Sequence, residues 1–261
     1  MIYTIVPARN VENRIDKTLK ILLKTKTDRI LAVVNGCMDN TLQRILDIKS
    51  DRVDILNFNK PLGLDVPRAV GAYTAYKEGA STFVFVDGDM IGNIEKNINE
   101  IITDICEKGV DMALTDCYPQ KGKNSNMARI LLAFRRQLNI ELGIFDKIGY
   151  AIPSHGPHGL SKKILEKIGF RSLAVPPVSL ALALMFCGNI KVSTKISDED
   201  LKSQVRDEFH AKQIANTIIG DCIEALSIFR GDRRKRGFDG EKFLGYHKNR
   251  RFDILDIVLD S

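Results

Sequence analysis

Ser81-Thr82-Phe83-Val84-Phe85-Val86-Asp87-Gly88-Asp89 is the stretch that decides the fold of this 261-residue chain. A short apolar run closed by turn residues reads as a strand buried on both faces. Here residues 81–86 form such a run, and it stops at two carboxylates flanking a glycine. Working outward, residues 64–79 read as a helix, with Pro67 tolerated in its first turn. Before it come a strand at 53–58, a helix opening near residues 39–41 and a strand at 30–34. Earlier still, residues 11–24 read as a helix with Ile15, Leu19 and Leu22 on one face, preceded by a strand at 2–6. Downstream, residues 94–107 carry Ile94, Ile98, Ile101 and Ile105 at helical spacing, and 111–115 make a fifth strand. Strands alternating with helices of this length imply an α/β fold: a largely parallel sheet with helices on both faces. Right-handed crossovers then gather the loops at the strands' carboxyl ends along one edge, where ligands bind in open sheets.

That edge collects polar residues: Pro7-Ala8-Arg9-Asn10, Asn35-Gly36-Cys37-Met38-Asp39-Asn40-Thr41, Asn59-Lys60-Pro61-Leu62-Gly63 and Asp87-Gly88-Asp89. The second half is less regular. Residues 125–142 read as a helix with Arg129, Arg135 and Arg136, and 152–159 as a loop. Ser161 caps the next helix, and 211–229 form a long amphipathic one. The expected organisation is one domain over 1–229, with a nucleotide-binding half at 1–118 and an acceptor half at 119–229. A basic tail follows at 230–261, whose apolar segment 254–259 docks back on the domain.

A composition of 44% hydrophobic and 28% charged residues is that of a globular chain and excludes disordered or fibrous classes. No apolar run approaches the ~20 residues that cross a bilayer. The start lacks a signal peptide's basic segment and cleavage site, so a cytoplasmic location is expected. The apolar stretch 173–187 holds two prolines and reads as buried core. Five widely spaced cysteines without a Cys-x-x-Cys pair argue against a disulfide framework or a thiolate zinc site, and most read as reduced core residues. A net charge of +6 tilts toward acidic partners: nucleotides, phosphorylated substrates or an anionic membrane face.

Asp87 and Asp89, two residues apart as the chain leaves a strand, can converge on one hard cation. Gly88 lets the backbone approach a phosphate. A divalent ion there, Mg or Mn, would neutralise charge on a departing diphosphate. The plainer alternative is a solvated Asp-Gly turn; the position after the fourth strand favours the metal. Asn10, Asn35 and Asp39 are candidates for reading a nucleotide base. Asn35-Gly36 is also a turn sequence, and Asp39 or Asn40 a helix cap.

Val6-Pro7-Ala8-Arg9-Asn10 with Arg14-Ile15, the run from Val33 to Thr41, and Phe85-Val86-Asp87-Gly88-Asp89 together resemble the family 2-like glycosyltransferases of GT-A fold. The resemblance covers residues 1–115 well and continues more faintly over 152–170, similar to the acceptor-side segment of polyprenyl-phosphate sugar transferases. It implies transfer of a hexose from a nucleoside diphosphate sugar (UDP- or GDP-sugar) to an anionic acceptor, either small or a lipid phosphate. Pro7, Ala8, Arg9, Asn10, Asn35 and Lys60 would then hold the nucleotide sugar, with Asp87 and Asp89 on metal and diphosphate. Asn35 stands where many relatives carry Asp.

Inverting relatives place a carboxylate base near the stretch 176–181, and none is present here. The acceptor is then already ionised, or the base comes from elsewhere, or the transfer retains configuration. Asp116, at the end of the fifth strand, is a substitute base or simply a capped strand end. His210 is a further metal ligand, as in the similar glucosyl- and mannosyl-phosphoglycerate synthases, or a surface His at a helix start. Ser154, His155 and His158, with Arg135, are candidates for a phosphorylated acceptor; for the arginines the alternative is a solvated helix face. The basic run 230–236 is a solvated tail or a contact for an anionic membrane. A second copy of the chain stays open as a partner. No basic face interleaved with aromatics supports nucleic-acid binding. A sugar-1-phosphate nucleotidyltransferase would need a glycine-rich loop after the first strand, which 7–12 lacks; a nucleotide-sugar-binding protein without transfer remains the non-enzymatic alternative.

Overall fold

A computed structural model describes residues 1–118, 126–204 and 207–261. In the first half β1 (Ile2–Ala8), α1 (Ile15–Leu22), β2 (Arg29–Asn35), α2 (Thr41–Leu46), β3 (Val53–Phe58), α3 (Val66–Lys77), β4 (Thr82–Phe85), α4 (Glu95–Lys108) and β5 (Met112–Asp116) alternate as the periodicity predicts. Then follow α5 (Asn126–Glu141), α6 (Phe145–Ile148), β6 (His158–Ser161), α7 (Lys162–Ile168), α8 (Pro176–Met185), β7 (Ile190–Lys195), α9 (Asp198–Leu201) and α10 (Glu208–Phe229). A two-stranded ribbon, β8 (Gly237–Phe238) with β9 (Glu241–Lys242), and α11 (Phe252–Leu259) complete the chain.

One seven-stranded sheet has the order β3-β2-β1-β4-β6-β5-β7. All pairs are parallel except those of β6, which runs antiparallel to β4 and β5. The chain steps outward from β1 to β3, and α3 carries it back to β4 on the other side of β1. The strand order therefore reverses between β1 and β4, where loops diverge and leave a crevice. Side chains alternate across the sheet: Phe83 and Phe85 join one core layer with α3, α8 and α10, while Val84 and Val86 join the other with α1 and α4.

The second half departs more from expectation. Residues 152–159 are not all loop, because His158 already pairs with Phe85 in β6; a four-residue strand beginning after Gly156-Pro157 carries no alternation to read. The helix expected from residue 125 begins at Asn126, and Ser125 lies outside the described residues. Residues 11–14 form a turn, not the first turn of α1. The apolar stretch 173–187 is largely α8, whose two prolines occupy the first turn, where no amide partner is lost. Ser161 caps α7, its Oγ accepting from the Ile164 amide at 3.3 Å. All five cysteines are free, but Cys106 and Cys187 are exposed rather than in the core.

Residues 230–235 are exposed, as expected of a solvated run, but the rest of the segment to 261 packs on the domain. Arg236 and Arg250 are buried against α10, and α11 packs on α3 with Leu255 fully enclosed. Among the described residues no helix is long and apolar enough to cross a membrane.

Candidate active site

A cleft of about 780 Å³ opens where the strand order reverses. Its walls are the ends of β1 (Pro7, Ala8, Arg9, Asn10) and β2 (Asn35), the loop into α3 (Gly63, Leu64, Asp65), and Asp87-Gly88-Asp89 after β4. The acceptor half adds Ser154, Asp198, Gln204 and His210, and the C-terminal segment adds Tyr246 and Asn249. Asp87, Asp89 and His210 thus share one cleft, although 121 residues separate Asp89 from His210 in sequence (210 − 89).

The Asp87–Asp89 turn is fixed from beneath. The Gly88 amide donates to Pro7 O at 3.0 Å, and Met90 N closes the turn on Asp87 O at 3.1 Å. Thr18, wholly buried on α1, can donate its hydroxyl to Gly88 O and Met90 O, each at 3.1 Å. A Cβ at Gly88 would stand 3.0 Å from Pro7 O and from Ile15 Cδ1. The glycine's smallness is needed for packing against β1 and α1, and Gly88 also lines the cleft. Arg68, in the first turn of α3, donates to Asp87 Oδ1 at 2.6 Å and to Asp65 Oδ1 at 2.7 Å. Burial alone would disfavour its charge, but Asp87 and Asp65 outweigh that and raise its pKa. Asp89 Oδ2 accepts the Gln204 amide at 3.0 Å, which ties the turn to the loop before α10.

The carboxylate pair offers hard oxygen donors, and His210 Nδ1 lies 2.8 Å from Tyr246 Oη. When Nδ1–H donates to that oxygen, Nε2 carries the lone pair a cation needs. This donor set fits a divalent ion. Among the described residues the one trio of His and carboxylate ligand atoms within 4.8 Å of one another is Asp221, Glu224 and His247, not Asp87, Asp89 and His210. That trio is no cation site: Arg236 and Arg250 already bond its carboxylates, and their charges help hold His247 at about 4, after burial.

Several other candidates take structural roles. Asn35 lines the cleft, but its amide is engaged: Oδ1 accepts the Leu62 amide at 2.6 Å and Nδ2 donates to Gly63 O at 3.1 Å. It shapes the loop beside a ligand. Asp39 is absent from the cleft wall, because its carboxylate receives the Glu12 and Thr41 amides at 3.0 Å each. Lys60 is exposed on the loop after β3, outside the cleft. Asp116 is also outside it, its Oδ1 receiving the Tyr118 amide at 2.9 Å, so the capped strand end is what the structure contains. Asn10 has a left-handed backbone (φ 52) and its Oδ1 accepts the Met38 amide at 2.9 Å, so it braces the β1 and β2 loops while lining the cleft.

On the acceptor side, Ser154 Oγ is buried in the cleft wall and has no hydrogen-bond partner among the described residues. His155 stands behind the wall: Nε2 is 2.9 Å from Asp198 Oδ1 and Nδ1 is 3.1 Å from the Tyr118 hydroxyl. Arg135 is not on a solvated face. It is buried, with its guanidinium 5.3 Å from the Tyr118 ring centroid. His158 is buried too and stacks on Phe85 at 4.9 Å, so it offers nothing to an acceptor. The residues missed in sequence are Thr18, Arg68, Asp198, Tyr246 and Asn249. Arg68 sat beside the noted Pro67, but nothing local marks the others.

Two expected results arise here. Burial, then the Arg68 charge, push the His158 pKa down from 6.5 to about 3. The unfolded chain therefore takes up this proton first. Stability is whole above pH 6.5 and falls as pH drops toward 3, by ~1.4 kcal/mol per unit at full slope. His247 acts in the same direction. Urea midpoints between pH 7 and 4 should decline, and less steeply in His158→Gln; an unchanged slope in that variant contradicts the account. Asn35→Asp, which would set a carboxylate against Gly63 O, should cost about 1–3 kcal/mol by the same measurement. An unaltered midpoint would show that the amide bond is not needed.

A family model described as glycosyl transferase family 2 matches residues 3–169. No curated protein matches the sequence significantly. Among solved structures, glucosyl-3-phosphoglycerate synthase from Mycobacterium tuberculosis, bound to Mn2+, UDP and glucosyl-3-phosphoglycerate, aligns with TM-score 0.65 at 14% identity, over 89% of this chain and 81% of that one. Mannosyl-3-phosphoglycerate synthase from Rubrobacter xylanophilus aligns with TM-score 0.66 at 11% identity, over 90% and 76%. A 4-diphosphocytidyl-2C-methyl-D-erythritol synthase from Anaerococcus prevotii aligns less well, with TM-score 0.51 at 12% identity, over 84% and 94%. At such identities these likenesses speak to the fold.

Proposed function

The chain belongs to glycosyl transferase family 2, and on that premise we propose that it moves a hexose from a UDP- or GDP-sugar to a small phosphorylated acceptor with the help of a divalent cation. The observation that carries this reading is the Asp87-Gly88-Asp89 turn, held rigidly at the strand-order reversal in a cleft that also contains His210. Asp87, Asp89 and His210 would hold Mg or Mn, which would offset the charge developing on the leaving diphosphate. Pro7, Ala8, Asn10 and the loop shaped by Asn35 form the wall for the nucleoside. Arg68 holds Asp87 in place through their ion pair, so that the protein enters the reaction with its charges already oriented.

The acceptor half has no carboxylate over 176–181 because that segment is the buried first part of α8. Asp198, fixed by His155, is the carboxylate that this half brings to the cleft. A phosphate- or carboxylate-bearing acceptor needs little deprotonation, which suits this poverty of bases. The relatives crystallised with phosphoglyceric acid, UDP and Mn2+ support the same pairing of donor and acceptor class.

The test is a transfer assay with UDP- and GDP-hexoses, phosphoglycerate as acceptor, and Mn2+ or EDTA. Metal-dependent formation of a glycosylated acceptor is expected. Tight nucleotide-sugar binding with no turnover of any donor would favour a binding protein instead.

A further inference from the structure

Beyond α10 the chain returns to the cleft that the first half builds. The Arg251 amide donates to Leu62 O at 2.9 Å, and a Cβ at Gly63 (φ +90) would lie 2.3 Å from Asn249 O. Only a glycine lets the two segments lie so close. From there two contacts lead to the candidate ligands. Arg250, with no exposed side-chain surface, bonds both oxygens of Asp221 at 2.7 and 2.8 Å and Asp65 Oδ2 at 2.8 Å, and donates to Leu64 O at 3.2 Å. The other oxygen of Asp65 receives Arg68, whose second Nη holds Asp87. Asp65 adopts a left-handed backbone (φ 63), a conformation that a non-glycine residue keeps only when its surroundings enforce it. Separately, the Tyr246 amide donates to Thr217 Oγ1 on α10 at 2.7 Å, which sets the phenol beside His210 Nδ1.

We propose that the segment 236–252 is a strap that positions the donor-site ligands: Arg250 acts on Asp87 through Asp65 and Arg68, and Tyr246 acts on His210 by accepting its Nδ1–H. The proposal rests on the reading of the cleft as a metal–nucleotide site. It makes Arg250 and Tyr246 positioning residues, and it gives the chain beyond the family-matched region a part in the reaction. Fixing Nδ1–H also fixes the tautomer, so Nε2 is presented as the ligand nitrogen.

The test titrates UDP calorimetrically into wild type, Tyr246→Phe, His210→Ala and the double variant, with Mn2+ or EDTA. Phe keeps the ring and the Thr217 bond, so the thermal midpoint should not move. Mn2+-dependent UDP affinity should fall roughly tenfold, with no further fall when Tyr246→Phe is added to His210→Ala. Equal Mn2+-dependent affinity in wild type and Tyr246→Phe overturns the Tyr246 arm. Hydrogen exchange without ligand reads the Arg250 arm in Arg250→Lys, which keeps the charge but loses the fork. Amides at 62–68 should exchange at least tenfold faster while β1 and β4 stay protected; unchanged exchange there overturns this arm. Should wild type bind UDP no better with Mn2+ than with EDTA, the metal–nucleotide reading fails and the Tyr246 arm with it, while the exchange result still decides the Arg250 arm.

Discussion

Asp89→Ala is expected to lower transfer by at least about 100-fold and to remove the Mn2+ dependence of nucleotide binding, the scale associated with losing one preorganised group that meets developing charge. The fold should survive. Among the described residues the Asp89 carboxylate accepts the Gln204 amide, near the surface, and the turn itself is held by Thr18, Pro7 and the Met90 amide. The expected pattern is thus a collapse of kcat with a thermal midpoint close to wild type. Asp87→Ala is a poorer probe, because it also strips a partner from the buried Arg68. Steady-state transfer rates and calorimetric nucleotide titration, with and without Mn2+, measure the effect. An Asp89→Ala variant whose binding still responds to Mn2+ would place the cation elsewhere.

Arg250→Ala should have the largest effect on stability, about 3–5 kcal/mol, because removing one member of a buried ion network leaves its partners charged and uncompensated. Its guanidinium is wholly enclosed and bonds Asp221 through both oxygens and Asp65 through one. The loss lies in stranding those carboxylates more than in the pairs' own worth. Arg250→Met combined with Asp221→Leu, which removes the main charge pair together, should therefore be less destabilised than Arg250→Ala alone. Urea unfolding of both variants measures this. A single variant within about 1 kcal/mol of wild type would mean that the network is open to water, where ion pairs contribute little.

The first half was legible because its apolar periods are clean. β1, β2, β4 and β5 are buried on both faces, β3 is a half-buried edge strand, and each ends in a polar turn, so their order fixed the edge where Asp87 and Asp89 lie. The carboxylate pair could be found because both ligands sit within three residues of one another. The second half hid its structure for physical reasons. β6 is four residues long and pairs antiparallel, and β7 (Ile190–Lys195) is an edge strand carrying lysines, so neither offered a period to read. Arg135 and Arg236 looked like solvated charge and Arg250 was not singled out, since composition does not reveal a carboxylate or an aromatic ring brought in from distant sequence. The same limit concealed Thr18, whose hydroxyl meets the turn across 70 residues, and Tyr246 beside His210. Asn35 and Asp39 were visible as polar strand-end residues, but their bonds to loop amides appear only once β2, β3 and α2 are folded together.

The most direct measurement of the central claim is the anomalous-difference map from crystals grown with Mn2+ and UDP. The account predicts one Mn2+ peak bonded to Asp87 or Asp89 and to the diphosphate, with His210 alongside, and the base against Pro7 and Asn10. A peak between Asp221, Glu224 and His247, or UDP in the cleft with no Mn2+ at Asp87 and Asp89, would contradict it.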